Sequence, residues 1–390
     1  MHPRRDLYFL AASLMFWGMG EGLFFIFQPL YIQELGADPV LIGTILGINA
    51  AIMTLAQIPF GYLSDRYGRR NILWMSWTLG VAATLTMALA KDLTVFVLGL
   101  MMYGLTAAVL APMNSYIASA RGDWSVGKAL TFISAAYSVG AAFAPMAGGM
   151  IAERNGLRSI YLISTVIFSV STGLVFFIRK QPVEVQEASQ KKFEILRNPR
   201  FVFSLALIGM ITFATYLPQP LTANFLQNER GLSLSAIGQL GTVMNISNVI
   251  FLLLLGHIPV ISAFVIGEVA VIGFTLLLWL GGGLPWYILA YALMGGYRLI
   301  RSIASAFIRP LVKASQVGLA FGFVETAGTL AIILAPILAG FLYDHAPLNV
   351  FKVSLGILLA SLAITLLAAN FRDALKKRLS VSASKINSGE

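Results

Sequence analysis

The sequence is a series of apolar runs, each near the ~20 residues that a helix needs to cross a bilayer, separated by short segments carrying charge or glycine. Rising 1.5 Å per residue, a helix of that length matches a hydrocarbon core about 30 Å thick. Twelve such runs can be marked out: helices 1 to 12, at residues 7–33, 39–62, 72–90, 93–119, 128–152, 157–178, 201–227, 235–255, 259–280, 285–309, 317–343 and 348–370. With 58% hydrophobic and 11% charged residues, and a mean hydropathy of +0.81, the 390 residues cannot make an ordinary soluble globule. The fold class read here is an all-α membrane protein of twelve transmembrane helices. The first residues, MHPRRDLYFLAASLMFW, have the basic start of a secretory leader. Their apolar run continues to Ile32 without a small-residue cleavage site, so it reads as a retained first helix.

An even number of spans puts both termini on one side. With that side inside, the inner segments hold twenty of the 27 Lys and Arg residues and the outer segments five, while Arg298 and Arg301 fall within a span. This asymmetry orients both termini toward the cytoplasm. It also accounts for the net charge of +10 by topology, so no nucleic-acid partner is expected. There is no cysteine, and His2, His257 and His345 are too scattered for a metal site; no metal or cofactor is expected. Neither a phosphate-binding GxxxxGKS/T loop, nor HExxH, nor a Ser/His/Asp arrangement is present, which argues against an enzyme and against nucleotide-driven transport.

Between helices 2 and 3 lies GYLSDRYGRR, Gly61 to Arg70, with one acid and three arginines in a tight loop. Gly61 and Gly68 permit close approach and a sharp turn, and Asp65 could face a helix N-terminus, an interaction worth about 0.3 to 2 kcal/mol. A plain positive-inside anchor is the alternative. The loop resembles that of the major facilitator superfamily, whose pattern GxLxDRxGRR is matched by Gly61, Leu63, Asp65, Arg66, Gly68, Arg69 and Arg70. The resemblance implies a gating motif: the acid braces the other half near the start of helix 11, here Gln316 to Gly318, when the cytoplasmic side is closed. The matching run of the second half, GHIPVISAFV, has neither acid nor cation, so such a latch is one-sided.

The longest polar stretch, Arg179 to Arg200, suits a cytoplasmic linker between a half at 1–178 and a half at 201–370, with a basic cytoplasmic tail at 371–390. The halves repeat. Gln28, Pro29 and Leu30 recur as Gln219, Pro220 and Leu221, and Gly127, Ala144, Pro145 and Gly149 recur as Gly318, Ala335, Pro336 and Gly340, all at an offset of 191. Ile42, Gly43 and Gly61 recur as Ile237, Gly238 and Gly256 at an offset of 195. A duplicated six-helix unit explains this pattern, and the superfamily's two pseudo-symmetric halves enclose a midplane substrate site.

Helix 5 reads GAAFAPMAGG, similar to the superfamily's antiporter pattern GxxxGPxxGG, with Ala144 in place of one glycine. Gly140, Pro145, Gly148 and Gly149 give a kink flanked by small residues, which also serves ordinary helix packing. In helix 4 Leu100 stands where the superfamily's second antiporter pattern has arginine, so a proton-coupling role at that position is absent.

Charge inside the membrane is the stronger signal, because an ion at the bilayer centre costs at least about 2.5 kcal/mol and so usually faces a cavity or a partner. Glu21, within WGMGEG midway along helix 1, is the first proton-coupling candidate, against the alternative of a carboxyl held by polar neighbours. Glu325 in helix 11 is the second. Arg298, Arg301 and Arg309 share one face of helix 10, Arg309 being a boundary anchor. Arg298 and Arg301 reach depths comparable with Glu268 and Glu325, which leaves a structural ion-pair network and a substrate counterion as equal readings. Gln28, Asn114, Tyr137, Tyr216 and Gln219 complete the substrate-binding candidates, with Asn49, Asn245 and Tyr297 also on expected cavity helices.

The resemblance extends to the twelve-helix drug:proton antiporters. It implies a monomeric secondary transporter of the bacterial cytoplasmic membrane, with protons, the lipid bilayer and a small molecule as its partners. The leading expectation is proton-coupled export of an amphipathic or drug-like compound. The alternative is a carrier for a small organic anion bound by the arginines of helix 10.

Overall fold

The computed structural model describes residues 4–181, 194–255, 257–312 and 316–367. Among them, eleven helices are long and apolar enough to cross a membrane, from Arg5–Glu34 to Asn349–Leu367. The protein is a multi-pass integral membrane protein. The remaining expected span, helix 10 at 285–309, is present as two shorter helices, Leu284–Leu293 and Gly295–Ile308, meeting at Met294. The core of the expected linker and the basic tail at 371–390 lie outside the described residues.

Several spans expected to be continuous are interrupted, mostly near prolines, although helix 11 runs unbroken through Pro336. A proline has no N–H and its ring clashes with the carbonyl four residues earlier. Helix 1 therefore passes through a 3-10 turn, Phe25–Phe27, around the position four before Pro29. Helix 2 breaks after Leu55, four before Pro59. Helix 4 does so at Ala107–Val109, before Pro112, and helix 5 at Phe143, before Pro145. Helix 10 has no proline at its break. There Gly295 lies against Phe251 and Ser247, Gly296 against Gly267, and the Ser247 hydroxyl donates to the Ala292 carbonyl.

Within the first half, helix 1 packs on helices 5 and 6, and helix 3 on helices 4 and 6. Within the second, helix 11 packs on helix 7, and helix 10 on helices 8 and 9. Helix 1 is fixed by an aromatic cluster: Trp17 stacks on Phe168 at 4.3 Å, and Trp77 Nε1 donates to Ser13 Oγ at 2.7 Å.

The bundle has two unlike ends. At the terminal end, where the chain enters helix 1 and leaves helix 6, Gln181 Nε2 donates to Asp6 Oδ2 at 3.0 Å and the Tyr116 hydroxyl to the Arg179 carbonyl at 2.8 Å. Toward the opposite, distal end the halves meet, helix 2 along helix 11 and helix 5 along helix 8. These seams are backbone to backbone. A Cβ at Gly43 would strike the Pro336 carbonyl, and one at Gly238 the Pro145 carbonyl, so small residues set the approach. At the terminal ends of helices 2, 5 and 11, by contrast, a Cβ at Gly61, Gly127 or Gly322 would meet no atom within 4 Å. Among the described residues, the hydrogen bonds and close glycine contacts that join helices 1 to 6 with helices 7 to 12 lie toward the distal end.

Candidate functional site

The site is built on the contact of helix 1 with helix 5. Gly18 lies against the Tyr137 carbonyl, Gly140 against the Met15 carbonyl and Gly148 against the Leu23 carbonyl, so the two backbones touch. That closeness brings the Tyr137 hydroxyl to Glu21, where it donates to Oε2 at 2.8 Å. Tyr103, from helix 4, presents a second hydroxyl to the same carboxyl. Nothing in the sequence around Tyr103 singled it out, because its role depends on which helices are neighbours.

Opposite these groups stands helix 10. Its second segment is amphipathic: Leu299, Ile300, Ile303, Ala304 and Ile308 are buried, while Arg298 and Ser302 are exposed. Arg298 lies within electrostatic reach of Glu21 and Tyr137 in the first half and of Tyr297 beside it. Its carbonyl accepts from Ser302 Oγ at 2.9 Å, and among the described residues its guanidinium makes no hydrogen bond or ion pair. An exposed cation that acts across the seam on a carboxyl of helix 1 marks open space between the halves.

Arg301 is engaged differently. Its Nη2 lies 3.2 Å from Glu325 Oε2, with side-chain exposures of 25% and 62%, and bare Gly328 makes room for the guanidinium against helix 11. Tyr216 and Tyr297, with ring centroids 5.5 Å apart, lie beside it. Glu268 does not join this group. It is fully buried and accepts from Ser361 Oγ at 2.6 Å, between helices 9 and 12.

Thus Glu21, Tyr137, Arg298, Tyr216, Arg301 and Glu325 form one belt across both halves. Three other candidates do not join it through any hydrogen bond. Gln28 is buried about 10 Å further along helix 1, at 1.5 Å per residue. Gln219 turns back on its own helix, Nε2 donating to the Thr215 carbonyl at 2.7 Å, and Asn114 is exposed on the second segment of helix 4.

The helix 5 kink faces the other half. Pro145 leaves the Ala141 carbonyl without its helical donor, and Asn245 Nδ2 of helix 8 supplies one at 2.8 Å. In the loop between helices 2 and 3, Gly68 has φ +86°, which glycine adopts without strain. Arg69 donates to Ser119 Oγ at 2.6 Å and the Ser115 carbonyl at 3.2 Å, a cation at the C-terminal end of helix 4. Arg70 lies over Trp74 at 4.3 Å and Arg66 over Tyr67 at 5.7 Å. The side chain of Asp65, and Gly318 at the start of helix 11, lie outside the described residues.

A family model described as Major Facilitator Superfamily matches residues 10–297. The chain belongs to the Major Facilitator Superfamily. The superfamily is one of secondary transporters, which are not enzymes. It is similar to Multidrug resistance protein MdtG of Salmonella arizonae, at 31% identity over 219 residues, 53% of this chain and 54% of that protein. MdtG of Salmonella typhi matches to the same extent. The chain spans about half the length of the curated relatives it matches, 54% of each. Among solved structures, a mutant of the nucleoside transporter NupG has a TM-score of 0.80 at 14% identity, covering 93% of this chain and 99% of that one. The human organic anion transporter MFSD10 has a TM-score of 0.65 at 15% identity, covering 94% and 100%. These structural likenesses are ones of fold.

Proposed function

We infer that this superfamily member exports a small amphipathic or drug-like molecule in exchange for protons, presenting one midplane site alternately to the two sides of the membrane. The observation that carries the reading is the Glu21 carboxyl, hydrogen-bonded by Tyr137 and facing the cation of Arg298 in the opposite half. A charge on Glu21 attracts Arg298 and draws the halves together at the site. A proton on Glu21 removes that attraction, so protonation and the approach of the halves are coupled. Trp17, Tyr103, Tyr216 and Tyr297 around these charges suit an amphipathic compound better than a polyhydroxylated one. The name of the MdtG relatives supports drug export, and the Lys and Arg distribution supports cytoplasmic termini. Among the described residues, the hydrogen bonds and close glycine contacts that join the halves then lie away from the cytoplasm, the side from which an exported compound is loaded.

A second reading, a carrier for a small organic anion, is favoured by one observation. Arg301 is already paired with Glu325, whereas Arg298 is exposed and its guanidinium has no direct partner among the described residues. A ligand-stabilisation screen on the purified protein, followed by uptake of the hits into liposomes with and without a pH gradient, tests both. Lipophilic hits moved against their gradient by the pH difference support the first reading. Anionic hits whose movement ignores the pH gradient support the second and overturn the first.

A further inference from the structure

The two seams that close the distal end repeat in their glycine contacts. Gly149 on the Leu234 carbonyl is matched by Gly340 on the Pro39 carbonyl, and Gly238 on Pro145 by Gly43 on Pro336. Their hydrogen bonding does not repeat. Across helices 5 and 8, Glu153 Oε2 accepts from Ser235 N at 2.8 Å, Thr242 Oγ1 from Met146 N at 3.2 Å, and the Ala141 carbonyl from Asn245 Nδ2 at 2.8 Å. Among the described residues no side-chain hydrogen bond joins helix 2 to helix 11.

The difference is greatest at the helix N-termini, whose first N–H groups have no intrahelical acceptor. Helix 2 carries its own cap: Asp38 Oδ1 accepts from Leu41 N at 2.7 Å. Helix 8 begins at Leu234, and Ser233 Oγ serves Ala236 N at 3.2 Å, but the Ser235 N–H is served by a carboxylate of the other half. That carboxylate also faces the positive end of the helix 8 dipole. Helix 2 keeps its cap however the halves are arranged, whereas helix 8 has the Glu153 cap only while the distal end is closed. Nearby, Gln33 Oε1 accepts from Asn224 and Asn228 at 2.5 and 3.1 Å, but these amides are neutral and engage no helix end.

We propose that Glu153 is a distal latch, a borrowed N-terminal cap on helix 8 that stabilises the distal-closed arrangement and must break for the distal side to open. This rests on the reading that the halves alternate. Because the chain has no cysteine, a spin-label pair can be placed in the full chain at Lys91→Cys, between helices 3 and 4, and Lys352→Cys, in the first turn of helix 12, both exposed. Glu153→Ala removes the acceptor. Ser235→Pro removes the donor at a first-turn position where proline is tolerated, and keeps the test open should the first variant misfold. Each is expected to raise the ratio of long to short distances about fivefold, the effect of one lost cap. The double variant should add nothing, because both remove the same bond. Asp38→Ala, which removes a cap inside one half, should leave the ratio unchanged. Distances in both single variants equal to wild type, in a wild type that itself responds to substrate, would overturn the latch alone. A wild type whose distances respond to neither substrate nor pH at either end would overturn the alternation beneath it.

Discussion

Tyr137 donates a 2.8 Å hydrogen bond to Glu21 across the seam of helices 1 and 5, and Arg298 of the other half faces the same carboxyl. Removing the hydroxyl while keeping the ring isolates the bond. Tyr137→Phe should lose a charge-assisted interaction worth about 1.5 to 3 kcal/mol and slow pH-driven flux at least about tenfold. Ligand stabilisation by an uncharged compound should change little. Equal flux in variant and wild type would mean that the bond takes no part in the cycle.

The arginines of helix 10 should separate under substitution. Arg298→Gln should weaken anionic ligands selectively if Arg298 is a counterion, since only an anion loses a charge-assisted bond. Arg301→Gln and Glu325→Gln remove partners of a pair in which Glu325 is exposed and Arg301 half-buried, so a double-mutant cycle on thermal stability should give a coupling of only about 0.2 to 1 kcal/mol. A larger coupling would indicate a desolvated structural pair.

Backbone contact between helices 1 and 5 can be tested without touching a charge. Gly140→Ala would drive a Cβ into the Met15 carbonyl, which is expected to cost about 1 to 3 kcal/mol and to separate Tyr137 from Glu21. Thermal unfolding should shift down and flux should fall. Gly173→Ala, where no atom lies within 4 Å, is the control and should leave both unchanged.

At the terminal end, we expect Asp65 to stabilise the arrangement closed to the cytoplasm. Asp65→Asn should impair transport and enrich long distances between spin labels placed across the terminal ends of the halves. A distance distribution identical to wild type would leave the loop as an anchor only.

What was legible in the sequence followed from the bilayer. It demands long apolar helices, so the spans stood out, and it penalises buried charge, so Glu21, Arg298, Arg301 and Glu325 were visible as exceptions. The interruption of helices before Pro29, Pro59, Pro112 and Pro145 was present in principle, yet a hydropathy run passes through proline and reads as one span. The break at Met294 carries no such mark; it is made where Gly295 and Gly296 meet helices 8 and 9. Tyr103 and Glu153 were not legible, because each acquires its partner only from a helix distant in sequence. Depth along the helix also failed to discriminate between acids: Glu268 and Glu325 reach similar depths, and only packing shows that Ser361 takes the first and Arg301 the second.

Proton-coupled export needs a group that carries the proton, and we assign that role to Glu21. The most direct measurement is substrate-induced proton movement, read with a pH-sensitive dye in liposomes containing wild-type protein or Glu21→Gln. Wild type is predicted to move protons when substrate is added. Glu21→Gln is predicted to bind the same substrate, unfold at a similar temperature and move none. Proton movement by Glu21→Gln at the wild-type rate would place the proton on another group and make Glu21 a structural residue.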